Sequence, residues 1–160
     1  LRVEYARFRH EKAEFDDEDL IDLGGLLLDA GAPSEAVAVF ELLVAHRPQD
    51  ARAWHELSVA LLRSGDLPRG MDACREAIRR DESHPAALHN MALAHLQLGQ
   101  CRRAWWWLGR ALEADPEDGS LRRMRLILRA REMANIARRA RRTVGAGLRR
   151  FGEAVQRARI

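Results

Sequence analysis

Side chains able to do chemistry are few in this chain and scattered along it. The six histidines are His10, His46, His55, His84, His89 and His95, and the two cysteines are Cys74 and Cys101. A zinc or redox site needs ligands a few residues apart. Cys74 and Cys101 have neither a CxxC nor a CxxH neighbour, so they read as buried or half-buried free thiols. His89 and His95 are turned about 120° from one another on a helix, which does not suit a metal pair. No GxSxG, HExxH, P-loop or dinucleotide fingerprint occurs. Gly24-Gly25 runs straight into three leucines without the strand that a phosphate-binding loop requires. The expectation is no catalytic residue, no metal and no cofactor. What remains is the chemistry of recognition. Imidazoles at His55 and His89 can donate, accept or titrate near neutral pH. Trp105-Trp106-Trp107 places three indoles about 100° apart round a helix, so they cannot all be buried on one face. With Ala104 and Leu108 on the core side, at least one of Trp106 and Trp107 must be exposed or covered by another part of the chain.

Helices must position these groups, and the sequence repeats itself to make them. Sliding the chain by 34 residues aligns Leu20, Trp54 and Leu88, then Leu23, Leu57 and Met91, then Gly24, Ser58 and Ala92. Further along it aligns Ala36, Gly70 and Ala104, and no gap is needed over residues 17–118. Leu20, Leu23 and Leu27, like Trp54, Leu57 and Leu61, recur at i, i+3 and i+7, the stripe of an amphipathic helix. Gly31, Gly65 and Gly99 follow those stripes where a left-handed C-terminal cap is wanted. Pro33 and Pro68 fall in the first turn of the next helix, where a missing N–H costs nothing. Each unit is therefore a helical hairpin whose backbones approach closely at the small residues. Three stacked units bury a core that one could not bury alone.

Trp54-His55-Glu56-Leu57-Ser58 and Leu20-Ile21-Asp22-Leu23-Gly24, each with a small residue in its second half and a closing turn, resemble the tetratricopeptide-repeat (TPR) pattern. The resemblance occurs three times in register, over 17–50, 51–84 and 85–118. It implies an all-α fold: a right-handed superhelical solenoid of hairpins with a C-terminal capping helix and a basic helical extension. It also implies a concave groove. The first unit would supply Glu18, Ile21, Gly25, Leu28 and Asp29, the second Arg52, His55, Val59, Leu62 and Arg63, and the third Ala86, His89, Leu93, Leu96 and Gln97. One TPR subclass clamps the C-terminal carboxylate of heat-shock chaperones with Lys, Asn and Arg. The matching positions here are Ile21, Gly25, Glu56, Ala86 and Asn90, and four of the five depart in chemistry. The implied groove suits an extended or helical apolar segment better than a free carboxylate.

The ends differ from the middle. Residues 1–16 read as an N-terminal helical cap, 119–143 as a capping helix, and 144–160 as a basic amphipathic helix, with Gly145 and Gly147 breaking or kinking the run. Leu121, Met124 and Leu128 echo Leu88, Met91 and His95 one residue out of register. Arg125 replaces the small close-packing residue, as a terminal cap should. Residues 119–160 carry 13 Arg and two acids, while the rest carries 14 basic and 22 acidic groups. Arg138, Arg142 and Arg149 flank an apolar stripe of Met133, Ala137, Ala140, Val144 and Leu148. Together with Trp106 and Trp107 they form a candidate second surface. The stripe suits a neighbouring helix, a second copy's acidic body (a homo-oligomer) or a membrane surface. No aromatic ladder or known motif points to nucleic acid.

No stretch approaches the roughly 18 apolar residues that span a bilayer, and no apolar leader is visible. A cytoplasmic protein is expected. The chain opens on Leu1 rather than Met, which leaves open a longer parent. The leading reading is a non-enzymatic scaffold that holds a protein or peptide segment in its groove. Two alternatives stand beside it. One is a chaperone like those of bacterial type III secretion translocators, similar in layout. The other is a peripheral membrane or self-assembling protein that uses the Arg-rich helix.

Overall fold

The computed structural model describes residues 15–157, with side chains through residue 146. The helical cap expected at the N-terminus therefore falls mostly outside the described residues. Seven helices follow one another: Asp17–Asp29 (α1), Pro33–His46 (α2), Ala51–Ser64 (α3), Leu67–Arg80 (α4), Pro85–Gln97 (α5), Cys101–Ala114 (α6) and Gly119–Arg157 (α7). Each of α1 to α6 packs on its sequence neighbours, and α3 also touches α1 and α5. This is the stacking of a repeat solenoid.

The starts and stops of these helices are chemical. Asp16 opens α1 with a capping box: its carboxylate accepts from the Glu18 and Asp19 N–H groups at 3.0 and 2.8 Å, and the Asp19 carboxylate accepts from the Asp16 N–H. Asp50 and Asp66 cap α3 and α4, satisfying N–H groups that have no partner within the helix. Gly31, Gly65 and Gly99 hold φ of +73°, +87° and +70° at the ends of α1, α3 and α5. Only glycine takes that left-handed conformation without steric cost.

The small residues let the helices touch. A Cβ on Gly24 would lie 2.3 Å from the Phe40 ring, and that ring is fully buried. A Cβ on Gly70 would meet the Leu62 side chain at 2.7 Å. The core forms two clusters, one around Leu20, Phe40, Leu43, Leu57 and Leu61, the other around Leu88, Met91, Leu108, Leu121 and Leu128. Trp54 packs against both. Its Nε1–H donates to the Pro48 carbonyl at 2.9 Å, and the Arg80 guanidinium lies 4.8 Å over its ring. A large indole that fills the seam and finds a hydrogen-bond partner is well suited to join two repeats.

Helix α7 departs from the expected pattern. Leu121, Met124 and Leu128 are buried as predicted, with Arg125 exposed beside them. The expected break at Gly145 and Gly147 is absent, and the 39 residues of α7 form one helix. Ala, Arg, Met and Leu fill the run before those glycines, and their helix propensity outweighs the roughly 1 kcal/mol that a glycine costs in a helix interior. From Arg129 to Val144 every residue is exposed, so α7 leaves the body after Leu128.

Candidate groove and surface patch

The groove is built from α1, α3 and α5, the first helices of the three hairpins. Between α3 and α5 lies a cavity of about 330 Å³, lined by Val59, Leu62, Arg63, Asn90, Leu93, Ala94 and Gln97. Five of these are groove positions that the resemblance to the TPR pattern implied. Asn90 and Ala94 were not, although Asn90 marks a position where the carboxylate-clamping subclass carries a cation. Val59 and Leu62 are half-buried and Leu93 is exposed, so the floor is apolar and reachable. Gly70 of α4 stands directly behind Leu62, which means the helix at the back sets the depth at the front.

Other expected groove residues are placed differently. Ile21 and Leu28 are half-buried against the first core cluster and lie outside this cavity. Leu96 is a correction: it is buried in the second cluster. Helix α7 packs beside it, and Arg131 donates to the Leu96 carbonyl at 2.9 Å. Two repeats earlier Arg63 donates in the same way to the Leu28 carbonyl at 3.2 Å. In both cases a guanidinium covers a carbonyl in the last turn of the preceding groove helix, where helix carbonyls lack partners. Arg52 and Gln97 stay exposed at the margin.

The two histidines that share a register position find different partners. His55 stacks on His84 with ring centroids 5.1 Å apart, while His89 Nδ1 lies 3.4 Å from Ser120 Oγ at the start of α7. His84 also caps α5: its Nδ1 accepts from the Ala87 N–H at 3.3 Å. Burial, and next to it the facing His55, lowers the His84 pKa. Burial likewise lowers that of His89. Glu56, 3.6 Å from His55 Nδ1, has its pKa lowered chiefly by that neighbouring ring. The signal for His84 was its place just before Pro85, a helix-start position where a polar cap is expected. His95 is buried, with Nδ1 2.8 Å from Gln100 Oε1.

The two thiols differ in their surroundings. Cys74 is fully buried beside Ser58, and burial pushes its thiol up to about 11; Cys101 is half-buried. Among the described residues no group of three or more His, Cys, Asp or Glu is placed to hold a metal ion. None of the described helices is long and apolar enough to cross a membrane.

The tryptophan run divides as its spacing required. Trp105 and Trp107 pack partly against the core, whereas Trp106 is 57% exposed. Among the described residues no part of the C-terminal extension covers it. Trp106 and Trp107 meet edge to face at 4.5 Å, and the Arg110 guanidinium lies 5.4 and 5.6 Å from their ring centres. Arg110 is anchored in turn on the Glu82 carbonyl at 2.9 Å. Arg138 and Arg142 are exposed on α7, and Arg138 donates to Asn135 at 2.7 Å. Arg149 belongs to the part of α7 described by its backbone alone.

Three gapless 34-residue hairpins, left-handed glycines after each first helix and a groove along the inner helices define a tetratricopeptide-repeat protein. The chain belongs to that family: the Cilia and flagella-associated protein 70 middle TPR-like domain matches residues 29–138. The peroxisomal targeting signal receptor of Komagataella phaffii is 28% identical over 120 residues, 73% of this chain and 21% of the receptor. The chain thus spans about a fifth of the length of that relative. Among solved structures, the TPR2B domain of yeast Sti1 in complex with pHsp70 matches with a TM-score of 0.65 at 22% identity, over 70% of this chain and 92% of that one. A type III secretion complex from Aeromonas hydrophila matches with a TM-score of 0.67 at 20% identity, over 80% of this chain and 88% of that one. At these identities the structures share the fold.

Proposed function

We propose that this chain is a non-enzymatic interaction module that holds a partly apolar protein segment in its concave groove. The observation that carries the reading is the cavity between α3 and α5, with Val59, Leu62 and Leu93 on its floor and Arg63, Asn90 and Gln97 round them. Apolar anchors ringed by a few polar groups suit a segment whose side chains enter while its backbone finds donors and acceptors at the rim. The Komagataella phaffii relative is a receptor for a targeting signal and the yeast neighbour is in complex with pHsp70, which supports a peptide as ligand. The departures from the carboxylate clamp point to an internal segment rather than a free chain end: Glu56 is engaged with His55, and Asn90 donates to Ser58 at 3.3 Å. The type III secretion reading has layout in its favour and no residue-level chemistry.

The test is fluorescence anisotropy with a panel of labelled apolar peptides against the chain and Leu93→Glu, with circular dichroism to confirm that the variant is folded. A bound peptide is expected to lose at least about tenfold in affinity, because a buried carboxylate on the floor is left unpaired. Binding that survives Leu93→Glu and a second floor variant, Val59→Glu, would remove the groove as the site.

A further inference from the structure

The two ends of the solenoid carry opposite charge on exposed helix faces. Residues 16–29 hold six acids and no base. On α1, Glu18, Asp22, Leu26 and Asp29 recur at spacings of four, four and three, which puts them on one face, and all four are exposed. Among the described residues none of these three carboxylates lies in an ion pair. At the other end, α7 carries nine arginines against Glu132 up to residue 146, and Arg122 is the one of the nine that forms an ion pair among the described residues. Leu126, Met133, Ile136 and Val144 are each more than 50% exposed. The spacing places Leu126, Met133 and Val144 in one stripe turned away from the Leu121, Met124 and Leu128 face that packs on the body, with Ile136 at its edge, where it also lines the cleft beside the turn before α6.

We infer that the chain self-associates head to tail, with the stripe and arginines of α7 in one copy docking on the Glu18–Asp22–Leu26–Asp29 face of α1 in a second copy. The charge complementarity selects this occupant. Pairing α7 with another α7 would set nine arginines against nine, whereas α1 offers carboxylates round an exposed leucine. The partner surfaces are different faces of the same molecule, so the contact is heterologous and builds a ring or an open row rather than a closed two-fold dimer. This inference does not depend on the groove.

Sedimentation velocity on the full chain over about 10 to 200 µM tests it, at about 50 mM salt and at about 500 mM, where exposed charges are screened within a few ångströms. The weight-average mass is expected to rise above the 18.2 kDa of one chain with concentration at low salt, and high salt is expected to weaken association about tenfold or more. Asp22→Arg/Asp29→Arg and Arg129→Glu/Arg141→Glu, all at exposed positions, the two arginines lying about 60° to either side of Val144 round α7, should each be monomeric alone and should associate when mixed in equal amounts. A chain that stays monomeric at every concentration in low salt overturns the inference. So does association that persists through both charge reversals. Vesicles of about 30% anionic lipid, the alternative that juxtaposed arginines would favour, serve as the third arm. Binding of a monomeric chain to them, lost in Arg129→Glu/Arg141→Glu, would assign the stripe to a membrane surface instead.

Discussion

The paired helices of the repeats and the outer part of α7 are made from much the same alphabet, alanine, leucine, methionine and arginine, yet they have different fates. In the hairpins an apolar stripe meets a glycine or alanine on the facing helix, and the gap closes until Phe40 and Leu108 have no exposure. Beyond Leu128 the apolar residues of α7 move to another face of the helix, and Met133, Ile136 and Val144 are left open. Where α7 passes the turn before α6, a cleft of about 700 Å³ separates Gln100, Arg102 and Arg103 from Glu132, Asn135 and Arg139. Periodicity therefore makes the helix in both regions, and the small residue opposite it makes the core. Arg125 stands where that small residue would recur.

The sharpest way to break this comparison is to delete equivalent apolar bulk on each side. Leu108→Ala should cost about 2–5 kcal/mol, the range for a fully buried leucine. Ile136→Ala should stay within about 0.5 kcal/mol, as exposed substitutions do. Urea denaturation of both variants decides it, and similar losses would mean that α7 is packed against the body. One substitution at two glycines comes next. Gly24→Ala should cost about 1–3 kcal/mol because Phe40 cannot retreat, while Gly145→Ala should be neutral or raise helical ellipticity, gaining up to about 1 kcal/mol of helix propensity. A third test separates helix ends from helix faces: Gly65→Ala forces a side chain into the left-handed region and should lower stability by about 1 kcal/mol.

The smallest effect is in pH. His84 and His89 have folded-state pKa values below the ordinary imidazole value, so the unfolded chain binds their protons first. Their contribution to stability is complete above about pH 6.5 and is lost as pH falls through the lowered values. The urea midpoint should therefore drop between about pH 7 and pH 5, and drop less in His84→Asn/His89→Asn. The carboxylates whose values are lowered, Asp17, Glu56, Glu76 and Asp118, act at more acid pH and do not share that window. An unchanged slope in the double variant would remove the histidines from the account.

The repeat could be read before any coordinates because its signals are local: glycine after a stripe, proline within a first turn, small residues one period apart. Those signals located the helices and turns, while Val59, Leu62 and Leu93 were named as groove residues through the resemblance to the TPR pattern. What the local signals could not show came from interactions with other parts of the chain. Leu96 holds a groove position by register, but α7, some 25 residues on, packs beside it. His55 and His89 share a register position, yet His55 finds His84, brought close by the turn before α5. Gly145 and Gly147 are breakers in isolation, and the hydrogen-bond ladder on either side carries the helix through them.

Arg131 is the last side chain described on α7 that grips the body, through the Leu96 carbonyl, and the remaining residues to Arg157 extend over about 39 Å of helix. That makes α7 a lever with its fulcrum beside the groove. A degree of tilt at Leu128 carries the far end through roughly 0.7–0.8 Å at 1.5 Å of rise per residue. A displacement too small to notice among the packed side chains of α5 would be plain at the tip.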